Sequence, residues 1–487
     1  MSGKNYRIKI LSFLLILFII NIYSLNNNHY CRNISNNNRN LKESEEEILY
    51  LIKFNFTTKH NINESEDPIT YLILNDIRIP IELGTPFQTI NASLRFNDYP
   101  FFISSPLIKL QNESEFNNIF RKNSSSSYKY ILSDSLFYKS QLSKAEKANE
   151  TFYFSNHTIT AYNFSFYYAT SMHYNQSGGV VGLCLEDSNM NLHPGMNFLT
   201  QLKSKNIISY KTFFINYNKN NENGELIIGA YPHEYSKEKY KYEDFHDITG
   251  YMDVTYKYYG FIFDEINIGK NKISLNITRI NEGNKWLMTA DLRIEFGFIL
   301  APSKLEENIT KEFIDLYRCN AYIADFTKIY GNKFFTGENF KYYVCDNEYT
   351  SNSKISFLSR EMEYIFELDK NDLFMKYRNK NYFNIIFSSG YGSKSWIFGK
   401  PIFLKYLWVF NPENKKFGFY EKKNQNEKKN FKLIIILIIT IVIFLIVLSI
   451  FIYEFFIKKY RKIRKNEILD NYDYENNEEK IINPDEN

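Results

Sequence analysis

From Leu433 to Tyr453 the chain carries no charged residue. As a helix this run covers roughly 30 Å, the thickness of a bilayer's hydrocarbon layer. A soluble core helix would show a polar stripe at helical period, and none exists here. Lys458, Lys459, Arg461, Lys462, Arg464 and Lys465 follow closely. Such clusters stay on the cytoplasmic side. The expectation is a single-pass type I protein. Residues 433–453 form its transmembrane helix, the chain before about 432 is luminal or extracellular, and 458–487 form a cytoplasmic tail. The acidic end of that tail, with Glu475, Glu478 and Glu479, has the composition of a disordered segment.

The N-terminus agrees with this route. Lys4, Arg7 and Lys9 precede the apolar run Ile10–Ile20, and Ser24 follows. A basic flank before a run too short to span reads as a secretory signal peptide over residues 1–24. An uncleaved anchor is the competing reading. Sequons are numerous and none follows residue 453; the glycosylation candidates are Asn91, Asn112, Asn149, Asn156, Asn163, Asn276 and Asn308. The location implied is the secretory pathway or the cell-surface membrane.

The four cysteines form no CxxC pair, which argues against a zinc or thioredoxin-like site. In a secretory chain Cys319 and Cys345 can form a disulfide. Cys184 sits in an apolar run as a buried thiol would, and its pairing with Cys31 stays open. The seven histidines are scattered and suggest no metal site; no phosphate or dinucleotide loop points to a cofactor. The net charge of +4 gives nucleic-acid binding no support.

Residues 25–65 are Asn-rich and charged, like a leader or prosegment, interrupted by one strand-like piece, Ile48–Phe56. From about 66 to 425 short apolar runs alternate with Asn, Gly and Ser turns. With 43 Phe and 40 Tyr the apolar set favours strands. The fold class expected is all-β, with a few short helices such as Met196–Leu202 and Leu305–Leu316.

One segment is more specific. Arg78–Ser105 contains Gly84-Thr85-Pro86 and Gln88 between apolar strands, then Phe101-Phe102-Ile103. It resembles the first-lobe opening of the pepsin-like aspartic proteases (peptidase A1). Gly178–Leu183, Gly224–Gly229, Tyr258–Gly269 and Trp396–Phe419 are similar to later elements of the same family, in order. The resemblance implies a bilobal pepsin-like double β-barrel, with lobes over 66–250 and 251–425, and a disulfide between Cys319 and Cys345. It also implies a flap tyrosine at Tyr138, twelve residues before Glu150, although Lys139-Ser140-Gln141 replace the family's glycine-bearing triplet.

In the family's pattern the catalytic aspartates fall on Arg95 and on Arg293, the latter anchored by Ala290 and Pro302. Pepsin-like chemistry needs two carboxylates sharing one proton, one of them taking a proton from water. A guanidinium has donors only and keeps its proton. Asn97 and Glu295 stand where the family has glycine, whose missing side chain lets backbone approach the dyad. The sequence therefore reads as an inactive pseudoprotease whose inter-lobe cleft binds a peptide or protein. A neighbouring acid, Asp98, Asp291 or Glu295, is expected to neutralise the arginines. The alternatives are an active endopeptidase using the displaced carboxylates Asp98 and Asp291, or a structural surface protein with a blocked cleft.

Overall fold

The computed structural model describes residues 50–58, 75–96, 101–106, 119–134, 142–154, 157–172, 178–183, 197–218, 223–248, 252–253, 258–274, 288–325, 339–346, 352–360, 362–377, 379–388, 395–421 and 425–482. The signal segment, Cys31, Asp98, Asn112, Tyr138, Asn156, Cys184 and Asn276 lie outside the described residues.

The first part of the chain forms β1 (Ile52–Thr58), β2 (Ile77–Leu83), β3 (Gln88–Arg95), β4 (Phe102–Ser104), β5 (Lys129–Asp134), β6 (Leu142–Phe154), β7 (Ile159–Met172), β8 (Gly179–Gly182), β9 (Phe213–Tyr217), β10 (Asn223–Ile228) and β11 (Phe245–Ile248). Next come β12 (Met252–Asp253), β13 (Tyr258–Ile262), β14 (Glu265–Ile268), β15 (Asn271–Ser274), β16 (Thr289–Leu292), β17 (Ile299–Ala301), β18 (Cys319–Asp325) and β19 (Asn339–Cys345). The last are β20 (Ile355–Ser359), β21 (Tyr364–Leu368), β22 (Phe374–Tyr377), β23 (Lys380–Phe383), β24 (Ile385–Ser388), β25 (Trp396–Phe398), β26 (Tyr406–Asn411) and β27 (Lys416–Glu421).

The alternation expected of half-buried strands is present. In β1, Ile52, Phe54, Phe56 and Thr58 are buried while Lys53, Asn55 and Thr57 face out. In β2, Ile77, Ile79, Ile81 and Leu83 are the buried set. β1 lies within the segment read as a leader, yet it fills an interior place of the first sheet, between β10 and β2.

That sheet runs β11-β27-β26-β9-β10-β1-β2-β3-β8-β4-β7-β6-β5. β6 also pairs back onto β2, which closes β2-β3-β8-β4-β7-β6 into a barrel. A second sheet, β12-β13-β16-β25-β17-β24-β19-β23-β22 with β18 on β19, and the small sheet β15-β14-β20-β21 build the other lobe. The last two strands, β26 and β27, return to the first sheet and tie the lobes together.

The Gly84–Gln88 motif earns its place locally. Gly84 has φ +97°, a conformation glycine adopts without penalty. The Gln88 amide donates to the Arg121 carbonyl (3.1 Å) and its oxygen accepts the Arg121 N–H (2.9 Å). Cys319 and Cys345 are directly paired across β18 and β19 and form the expected disulfide. The two expected helices appear as Phe198–Ser204 and Glu306–Phe313. The first is capped by Asn197, whose side chain accepts from the Thr200 N–H.

The C-terminal helix runs from Gln425 to Ile482, and Leu437–Leu469 is long and apolar enough to cross a membrane. Its apolar side chains, such as Phe444 and Phe451, are exposed, as a lipid-facing helix requires. The helix does not end at residue 457. It continues through the charged tail, where composition favoured disorder. Propagating an existing helix fixes one residue per added hydrogen bond and needs no new nucleus.

Candidate functional site

Each lobe contains the same three-strand motif. In the first, β3 runs parallel to β8, with Leu94 opposite Val181 and Arg95 opposite Gly182. β4 then comes back antiparallel on β8, placing Phe102 opposite Val180. In the second, β16 runs parallel to β25, with Leu292 opposite Phe398. β17 comes back antiparallel, placing Leu300 opposite Ile397.

Phe102 is seven residues after Arg95, and Leu300 is seven residues after Arg293. The two connecting loops thus have equal length and register. One backbone bond differs: Leu183 N–H donates to the Arg95 carbonyl (2.8 Å), whereas its counterpart in the second motif, Lys400, donates to the Phe296 carbonyl (2.7 Å). Arg95 and Arg293 occupy equivalent points of two like-built motifs.

The residues after each arginine turn inward. Phe96 is fully buried, its ring edge-on to Phe213, Tyr259, Phe403 and Phe410, with centroids 4.9–6.0 Å away. Ile294 and Glu295 are buried at the matching step of the second loop. Phe296 packs in a separate cluster with Phe298, Leu300, Tyr342 and Ile397. Gly399 leaves no room for a side chain: a Cβ there would meet the Phe298 carbonyl oxygen at 2.2 Å and that of Phe296 at 2.4 Å.

Arg293 Nη2 lies 3.7 Å from Asp291 Oδ2, and its guanidinium carbon lies 5.9 Å from the centre of the Phe296 ring. This pairs one arginine with a carboxylate anticipated from sequence. Arg95 also faces a carboxylate that sequence reasoning missed, Asp76. Arg78 Nε donates to Asp76 Oδ2 (2.7 Å) and Ser93 Oγ donates to Oδ1 (2.7 Å). Burial alone would raise the Asp76 carboxyl, but the guanidinium groups of Arg78 and Arg95 and these hydrogen bonds outweigh it and hold it below the usual range.

A signal for this was present. The β2–β3 register pairs Arg78 with Ser93. Continued two residues further, it sets Asp76 opposite Arg95 on the same face of the hairpin.

The residue before Asp76 ties the start of β2 to the second motif's loop. Asn75 N–H donates to the Glu295 carbonyl (2.9 Å), and its side-chain amide donates to the Ile294 carbonyl (2.7 Å) and the Tyr217 hydroxyl (2.6 Å).

Glu150, matched by spacing to the flap, is buried and accepts from Ser125 Oγ (2.8 Å) and the Thr151 N–H (2.8 Å). Ser125 in turn accepts the Thr85 N–H (2.9 Å), so Glu150 braces the Gly84 turn. Of the described sequon residues, Asn91, Asn163 and Asn308 are exposed, while Asn149 is half-buried and accepts from Ser165 Oγ (2.6 Å). Among the described residues no cluster of His, Cys, Asp or Glu could hold a metal ion.

Residues 78–422 match the family model described as eukaryotic aspartyl protease. No curated protein matches the chain. The match spans both three-strand motifs and the strands that tie the lobes together. The chain belongs to the eukaryotic aspartyl protease family.

Proposed function

We propose that this is a membrane-anchored pepsin-like protein that has lost proteolysis and uses its inter-lobe cleft to bind peptide or protein. One observation carries the reading: the two equivalent motif ends, where the family's reaction requires aspartates, both carry arginine. A dyad works because like-charged carboxylates held close share one proton, leaving one as base and the other as acid. Neither guanidinium can accept a proton from water. Glu295 and Asn97 put side chains at the positions next in line, so a single reversion would not rebuild the site.

The anchor is the apolar stretch of the C-terminal helix, and the cations after it favour the type I orientation. The strands, the barrel and the groove between lobes are what the family uses to hold an extended peptide, so binding is the activity left once hydrolysis is removed.

The test uses the purified full chain in detergent. It is assayed for peptide cleavage from acid to neutral pH, with and without a statine-type inhibitor, and for capture of members of a peptide library. The expected result is binding without cleavage. Inhibitor-sensitive cleavage that disappears in Asp98→Ala or Asp291→Ala would make it an active endopeptidase with displaced carboxylates. Neither binding nor cleavage would leave a structural surface protein.

A further inference from the structure

The helix that emerges from the apolar stretch keeps its helical geometry for about two further turns of basic sequence, and those turns are two-faced. Lys458, Arg461, Lys462 and Lys465 recur at i, i+3, i+4 and i+7, which places them on one face. Lys459 and Arg464 lie about 100–120° round the helix from Lys458, next to Ile463 and Tyr460. Phe456, Tyr460 and Ile463 recur at i, i+4 and i+7 on the opposite side. All of these side chains are exposed. Lys458 has an acidic neighbour one turn back, Glu454, with Nζ to Oε2 at 4.0 Å. Glu467 is the next acid along the helix.

Setting an orientation needs only an excess of cations near the span. It does not need them sorted onto a face of an unbroken helix. At about 1.5 Å per residue, Lys458 lies roughly 7.5 Å and Lys465 roughly 18 Å beyond Tyr453, the last residue of the uncharged run. The headgroup layer reaches about 5–7 Å beyond the hydrocarbon, and the screening length adds about 8 Å at physiological salt. Lys458 therefore sits near phosphate level, and Arg461, Lys462 and Lys465 follow within about one screening length of it.

We propose that the Lys458–Lys465 face is a binding site for anionic phospholipid headgroups in the leaflet where the helix emerges. The proposal rests on the membrane-anchored reading above and adds a ligand class to it. The phosphates would accept from the ammonium and guanidinium groups of one face, while Phe456, about 5 Å beyond Tyr453, packs at the acyl boundary.

The experiment places the full chain in nanodiscs of phosphatidylcholine containing a minor fraction of either phosphatidylserine or a phosphoinositide. The lipids retained with the protein are counted by native mass spectrometry after gentle release. Anionic lipid is expected to be enriched over its bulk fraction in both arms and to fall as salt is raised. The variant K458Q/R461Q/K462Q/K465Q should lose about ten-fold or more of that enrichment. The control E475Q/E478Q/E479Q, which alters only the acidic tail, should keep it.

Retained lipid matching the bulk, or enrichment unchanged in the four-site variant, would overturn the proposal. So would a basic-face-dependent dimer that forms without anionic lipid, since the occupant would then be a second copy's acidic tail. A chain that fails to enter the discs sinks the anchor itself and this inference with it.

Discussion

Replacing Asp76 by Asn tests the charge arrangement under the first motif most directly. Asp76 holds two hydrogen bonds of 2.7 Å and faces the guanidinium groups of Arg78 and Arg95. An amide of the same shape keeps the packing and removes the charge. Removing one partner of a buried ion pair costs about 3–5 kcal/mol. Here the Asp76 side chain retains 22% exposure and that of Arg78 15%, so solvent screens part of the loss. The expected destabilisation is about 2–3 kcal/mol.

At roughly 2–4 °C per kcal/mol for a lobe of this size, the first-lobe melting transition should fall by several degrees. Melting of the full chain is followed by fluorescence for D76N, R95M and the double variant. Asp76 and Arg95 act on each other, so the double variant should be less destabilised than the sum of the singles.

The pH dependence has a definite sign. A carboxyl whose pKa is depressed in the fold contributes stability above its unfolded value, about 3.9, and loses it as pH falls through the folded value. The gap between wild type and D76N should be flat from pH 5 to neutrality and shrink only below about pH 4. A D76N melt within a degree of wild type, or strict additivity with R95M, would refute the reasoning.

Three further outcomes are expected. A chain begun at residue 66 lacks β1, which fills the place between β10 and β2, so it should fail to fold cooperatively; N-terminal sequencing of the native protein should find Ile52–Thr58 still attached or bound as a fragment. Cys319→Ser opens a link of 26 residues' separation and should cost about 3 kcal/mol, read as a melting shift that reductant reproduces in the wild type. Gly399→Ala drives a methyl against the Phe296 and Phe298 carbonyl oxygens and should abolish soluble expression, whereas Lys400→Ala, one residue on, should not.

Much of the architecture could be read without coordinates because it rests on local periodicity. The alternation of Ile77, Ile79, Ile81 and Leu83 marks a half-buried strand wherever it occurs, and the Gly84 turn fixes the hairpin register. The helices at Phe198 and Glu306 announced themselves in the same way. The tail did not. Its composition suits a disordered segment, and only continuity with the apolar helix makes it helical. β1 was visible as a strand, but its interior place in the sheet depends on β10, which lies some 170 residues away. No local pattern carries such information.

The candidate site divides along the same line. The proposal that Arg95 and Arg293 stand where the family's acids are expected comes from the sequence by itself, because side-chain identity and motif spacing are properties of the chain. The sequence also offered Asp98, Asp291 or Glu295 as partners, of which Asp291 lies 3.7 Å from Arg293. Tertiary structure decided that the two arginine-bearing strands turn back in matching register, and that Asn75, just before β2, bonds to the second motif's loop. These are contacts between strands and lobes. Their existence depends on which surfaces bury one another, a choice that only the folded chain makes.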